Sequence, residues 1–92
     1  MDHGSVPEVR FVEFRIKIPK AKKVFLAGDF NRWKPEILPL FRKTKKDWEV
    51  LVPLPPGKYE YAYQADGKWT EDPKCTLAGQ HGGIKTCVKQ VQ

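Results

Sequence analysis

Among the residues of this chain that could do chemistry, the tryptophans Trp33, Trp48 and Trp69 say most. Trp33 lies in the polar, proline-flanked run Asn31-Arg32-Trp33-Lys34-Pro35, and Trp69 in Gly67-Lys68-Trp69-Thr70-Glu71-Asp72-Pro73. Neither has the apolar neighbours that a core position would bring. Trp48 opens an alternating run with Val50 and Val52 and reads as core. An exposed indole offers a flat apolar face with little conformational freedom. The apolar face of a glucopyranose ring can lie on it while the sugar hydroxyls reach nearby Lys, Asn or Thr side chains. A stack that buries roughly 50–80 Å² at about 25 cal/mol per Å² contributes about 1–2 kcal/mol. Two stacks and a few hydrogen bonds give a dissociation constant of roughly millimolar to tens of micromolar, which suits a repetitive polymer. The competing reading is that Trp33 and Trp69 only cover the ends of the fold.

Other chemistries find less support. There is no Gly-rich phosphate loop and no nucleophile elbow, and His3 and His81 have no nucleophilic Ser or Cys at a recognisable spacing. Asp29, Asp66, Glu71 and Asp72 all fall in turns, where carboxylates serve as caps and solubilising groups. The sequence therefore reads as non-catalytic and without a cofactor. Cys75 and Cys87 stand twelve apart with His81 between them and no CxxC, which is not a zinc pattern. Two free thiols is the first expectation in a reducing compartment. A Cys75–Cys87 bridge requires Cα atoms within about 7 Å.

The elements that must position these side chains belong to a small protein. Ninety-two residues allow one domain, residues 1–92, with one modest core and no room for a lidded, buried active site. The chain is 40% hydrophobic, 30% charged and 12% aromatic, a globular composition. No run approaches the ~20 apolar residues of a membrane span. The opening MDHGSVPEVR has no apolar stretch like that of a signal peptide, so a cytoplasmic location is expected.

Net charge is +6, which at first suggests a polyanion. Residues 1–46 hold twelve Lys/Arg against five Asp/Glu, and residues 47–92 five against six. Much of the excess sits on a polar strand face (Arg15, Lys17) and in two turns (Lys20-Ala21-Lys22-Lys23 and Arg42-Lys43-Thr44-Lys45-Lys46). Apart from Phe41 the second turn lacks the aromatics that interleave a nucleic-acid groove. A neutral polymer is the better expectation, and nucleic acid is argued against.

Periodicity near two runs through most of the chain. Val12, Phe14, Ile16 and Ile18 alternate with Glu13, Arg15 and Lys17, a half-buried strand that Pro19 ends. Val24 and Leu26 oppose Phe25 and Ala27 in a second strand that Gly28-Asp29 stops. Residues 31–36 read as a loop and 37–43 as a short edge segment broken by Pro39. Residues 47–54 alternate again. After the turn Pro55-Pro56-Gly57, Tyr59, Tyr61 and Tyr63 line one face and Glu60, Ala62 and Gln64 the other. Asp66-Gly67 is the strongest hairpin signal, suited to a type I′ turn. Residues 74–83 read as a long loop and 84–91 as a closing strand. About seven short strands at this spacing predict an all-β, immunoglobulin-like β-sandwich of antiparallel strands.

The segments KVFLAGDFNRWKPEILPL and WEVLVPLPPGKYEYAYQADGKWTEDP, with Gly82-Gly83-Ile84 before the last strand, resemble carbohydrate-binding module family 48, the early-set, isoamylase-N-terminal-like domain. That family includes the glycogen-binding domain of the AMP-activated protein kinase β subunit and the N-terminal domains of branching and debranching enzymes. The resemblance covers residues 10–91 or so and implies an early-set sandwich that binds α-1,4-glucan such as glycogen, starch or maltodextrin. It places the family's two stacking tryptophans on Trp33 and Trp69. The family's sugar-contacting lysine falls on Ala62, its asparagine on Lys85 or Thr86, and the aliphatic residue that pokes through the glucan near His81 or Gly82. Lys85 can still donate to hydroxyls, and Lys68 and Asn31 are candidate substitutes, although Asn31 could equally hold its own turn. The alternative that the resemblance carries is an interaction module packed on a glucan-active or kinase catalytic domain, with little sugar affinity.

Overall fold

A computed structural model of the chain describes residues 8–75 and 78–92. Two antiparallel sheets face each other. One carries β1 (Arg10–Lys17), β4 (Asp47–Leu54) and the two-residue β3 (Phe41–Arg42) in the order β1-β4-β3. The other runs β2 (Val24–Gly28), β5 (Gly57–Ala65), β8 (Ile84–Val91) and β7 (Ala78–His81), with β6 (Lys68–Thr70) also paired to β5. This is the all-β, immunoglobulin-like sandwich that the alternation predicts.

The alternating residues meet in the core as expected. Phe14 and Ile16 of β1 pack with Trp48, Val50, Val52 and Leu54 of β4, against Val24, Leu26, Tyr61, Tyr63, Cys87 and Val91 from the second sheet. Trp48 is 6% exposed and donates its indole N–H to the Ile18 carbonyl at 3.0 Å, so it is a core residue with its polar atom satisfied. Burial of the Tyr61 and Tyr63 hydroxyls pushes both phenols well above the ordinary tyrosine range; the nearby Asp72 charge adds to the rise at Tyr61, and Tyr61 and then Asp72 add to that at Tyr63.

The Asp66-Gly67 turn forms as the sequence suggests, with φ of 48° and 82°. The Asp66 carboxylate has a second task. It accepts the backbone N–H of Lys22 and of Lys23, each at 2.9 Å to Oδ1, and so ties the 19–23 turn to the hairpin tip. The Lys23 N–H, then the Lys22 N–H, hold its pKa below the usual carboxylate value, against a desolvation effect that works the other way. A lowered folded-state pKa makes the ionised group stabilising. That contribution is complete above the unfolded value of about 3.9 and is lost as pH falls through the folded value. The urea midpoint is therefore expected to drop as pH falls below about 4, and D66N to flatten that part of the profile.

Two expectations need correction. The stretch read as a loop over 74–83 contains β7, which pairs with β8 across Gly82-Gly83 in the register Ala78↔Cys87 to His81↔Ile84. Both glycines have positive φ, 57° and 82°, the geometry of a tight hairpin turn. Cys75 and Cys87 are joined as a disulfide rather than standing as free thiols: the fold brings their Cα atoms to 5.7 Å.

Candidate glucan-binding surface

The register of the second sheet sorts its side chains onto two faces. Leu26 opposes Tyr63 on the core side, so Phe25 opposite Gln64 and Ala27 opposite Ala62 point outward. Trp69 pairs with Gln64 and belongs to that outer face. It is 37% exposed. Trp69 and Thr70 of β6, Glu71, and Gly83, Ile84 and Lys85 at the start of β8 line a groove of about 370 Å³. Two of the sequence candidates, Trp69 and Lys85, thus border one groove, Trp69 from the outer face and Lys85 from the strand edge on the side that Cys87 faces.

Trp33 is presented differently. After β2 the chain makes two 3-10 turns, Asp29–Asn31 and Pro35–Ile37, with Arg32 and Trp33 between them at φ of 57° and 59°. Left-handed backbone at two successive non-glycine residues is costly, and the surroundings enforce it. The Trp33 N–H donates to the Gly28 carbonyl at 3.0 Å. Asn31, 7% exposed, accepts the Gly28 N–H at 2.9 Å and donates its amide to the Leu26 and Lys34 carbonyls at 2.9 and 3.1 Å. Its polar atoms hold this turn, the second of its two sequence readings. Gly28 is required here by space, since a Cβ would stand 2.6 Å from the Phe30 ring and 2.7 Å from the Glu60 carbonyl.

The half-buried Trp33 donates its indole N–H to Asp29 Oδ1 at 3.1 Å, while Asp29 Oδ2 accepts the Glu60 N–H at 2.8 Å. Asp29 therefore pins the tryptophan to β5. Trp33 is anchored beside Glu60 and Trp69 opposite Gln64, four residues along one strand, or about 13 Å. By sequence alone Asp29 reads as an ordinary turn residue; its place four residues before Trp33 is the signal for this role. D29A is expected to leave the core intact and to weaken any ligand contact made by Trp33 several-fold, measured as the ligand concentration giving half the change in Trp fluorescence.

The remaining candidates are dispersed. Ala62 is 2% exposed and has no polar side-chain atom. Thr86 is 2% exposed and donates its hydroxyl to Glu60 Oε1 at 2.8 Å. Gly79 makes room for that pair, because a Cβ there would lie 2.7 Å from Glu60 Oε1. Lys68 is exposed but alternates to the face opposite Trp69, across from Ala65. Gly82 has open space around it, and the His81 side chain lies outside the described residues, as does all of His3. Among the described residues no cluster of three or more His, Cys, Asp or Glu is placed to hold a metal ion, and no helix is long and apolar enough to cross a membrane.

Two of the four cationic side chains of the basic turn, Arg42 and Lys43, are engaged in structural contacts. Arg42 lies 4.4 Å over the Trp48 ring and donates to the Ala21 and Lys45 carbonyls, and Lys43 pairs with Glu49 at 3.1 Å.

Residues 12–92 match the model of the family described as the glycogen recognition site of AMP-activated protein kinase. The chain belongs to that family. A β-1 subunit of 5'-AMP-activated protein kinase from Sus scrofa is 40% identical over 71 residues, 77% of this chain and 56% of that sequence. The Homo sapiens β-1 subunit is 34% identical over the same length, 25% of its own chain. A 1,4-alpha-glucan branching enzyme, GlgB 2 of Xanthomonas campestris, is 35% identical over 69 residues, 72% of this chain and 10% of the enzyme. The match thus spans a quarter of the full β-1 subunits and a tenth of the branching enzyme. As a glycogen-recognition domain, the chain carries the family's non-catalytic binding module on the sandwich that the alternation predicts.

Proposed function

We propose that residues 1–92 form a single non-catalytic domain that binds an α-1,4-glucan of the glycogen, starch or maltodextrin type, with Trp33 and Trp69 as stacking platforms. The observation that carries this reading is the groove in which Trp69 stands beside Lys85, in a chain of the glycogen-recognition family. Lys85 is exposed and supplies three donors for sugar hydroxyls. Ala62 and the internally bonded Thr86 leave it as the chief polar contact, so affinity rests on stacking more than on hydrogen bonds. A cytoplasmic setting accords with this reading. Titration with maltoheptaose tests it: tryptophan fluorescence should change and saturate in the range of roughly millimolar to tens of micromolar. No change at millimolar sugar would sink it.

A second reading, an interaction module for a catalytic domain or enzyme partner, has a separate observation in its favour. Phe11, Phe41 and Leu51, 73%, 68% and 55% exposed, lie on the outer face of the first sheet, on the side away from Trp69. Phe41 and Leu51 border a groove of about 480 Å³. Large apolar side chains grouped on one face mark an interaction surface. The two readings use opposite faces, so one domain can serve both.

A further inference from the structure

The connection from β6 to β7 is fastened at two points. Asp72 accepts the Tyr61 hydroxyl at 3.1 Å and the Lys74 N–H at 3.0 Å through its carboxylate, and its carbonyl accepts the Cys75 N–H at 3.0 Å. The second fastening is the Cys75–Cys87 disulfide. Its two sulfurs stand in different surroundings. Cys87 is 2% exposed and lies in the core opposite Tyr61. Cys75 is half-buried and lines a cleft of about 380 Å³ at the side of the sandwich, walled by Glu13 and Arg15 from β1, Asp72 and Lys74 from the connection, and Lys89 from β8.

The bridge also encloses part of the Trp69 groove. Its twelve-residue span contains β7, the Gly82-Gly83 turn and only the first residues of β8, so Gly83, Ile84 and Lys85 lie inside the closed loop while Trp69, Thr70 and Glu71 lie just outside it. The pairing of β8 with β5 ends at Tyr61↔Cys87, so the disulfide ties that last paired residue, from which the β7–β8 wall of the groove projects, to the connection that follows β6. We propose that Cys75 is a site of thiol–disulfide exchange, and that exchange there releases the β7–β8 wall of the Trp69 groove. The second half of this inference rests on the glucan reading of that groove.

The exchange needs a small thiol such as glutathione, which the cleft is large enough to admit. Its thiolate attacks Cys75 Sγ and forms a mixed disulfide. The Cys75–Cys87 bond breaks, and the electron pair leaves on Cys87 Sγ, which takes up a proton. A second thiolate then attacks the small-thiol sulfur of the adduct, releasing the oxidised small disulfide and leaving Cys75 reduced. The protein has gained two electrons and two protons, and two small thiols have been oxidised to one disulfide. The core around Cys87 denies an attacker the other sulfur.

The full chain, oxidised, is treated with glutathione, quenched with acid and mapped by peptide mass. The adduct is expected on Cys75. An adduct mainly on Cys87, or a bridge that does not exchange, overturns the proposal. Hydrogen exchange of the oxidised and reduced protein is then compared. Faster exchange is expected in Ala78–Lys85 and unchanged exchange in β1 and β4; equal protection of the hairpin in both states overturns the release. Retention on immobilised glycogen should fall several-fold on reduction and in C75S, and equal retention of both redox forms also overturns the release. If neither form is retained, the glucan reading fails, and the peptide map and amide protection decide the exchange and the release.

Discussion

W69A is expected to lose retention on immobilised glycogen while remaining folded. The indole supplies one of two stacking faces, and its removal costs about 1–2 kcal/mol, or roughly five- to thirtyfold in dissociation constant. From a starting value near millimolar, that is enough to abolish retention. The expected change in stability is small. Trp69 is 37% exposed, lies in the three-residue β6 and stands outside the core cluster, so truncation should cost about 1 kcal/mol or less. W69F should keep part of the binding, since a phenyl ring retains a smaller apolar face. W33A should also lose retention, with a larger stability cost because Trp33 is half-buried and its indole N–H is bonded to Asp29. The two anchors are four β5 residues apart, so the two losses should add if each ring stacks on its own sugar. Should W69A unfold the domain, with W69F binding no better than background, the reading of Trp69 as a cover for the end of the sandwich would replace the stacking one.

The sandwich was legible because its strands are buried on one face only. Phe14 and Ile16 alternate with Glu13, Arg15 and Lys17, and the register of β1 on β4 puts the first pair in the core and the charges outside. β7 gave no such signal. Ala78-Gly79-Gln80-His81 has no β-branched residue; it is a strand because β8 supplies its hydrogen bonds and because Gly79 clears the Glu60–Thr86 pair. The binding surface was legible in its residue types and less so in its directions. Asn31, Thr86 and Lys68 are all good sugar partners by chemistry. Asn31 is consumed by its own turn, Thr86 by Glu60, and Lys68 alternates away from Trp69. Side-chain direction depends on register, and register depends on pairings far apart in sequence. The same holds for the disulfide, which spacing left open and which the pairing of β5 with β8 decides by placing Cys87 opposite Tyr61.

F14A should be the most damaging single truncation for stability. Phe14 is 1% exposed, and its ring centroid lies 5.4 Å from that of Phe30 and 5.0 Å from that of Tyr61, with the Lys89 ammonium 5.2 Å away. Removing a buried phenyl from such a site loses its transfer free energy and leaves a cavity, about 3–5 kcal/mol together. A domain of this size has roughly 5–15 kcal/mol in all, so the urea midpoint should fall by about a fifth or more with the slope unchanged. The effect should reach the binding surface. Phe30 belongs to the 3-10 turn that leads into Trp33, and it seats against Phe14 and, edge-on, against Tyr59. F14A should therefore weaken glycogen retention even at temperatures where the protein is still folded, and F14L should recover most of both properties. A cost below about 1 kcal/mol would contradict the packing of the two sheets through Phe14. A full cost with unchanged retention would instead show that the Trp33 turn is held by Asn31 and Asp29 alone.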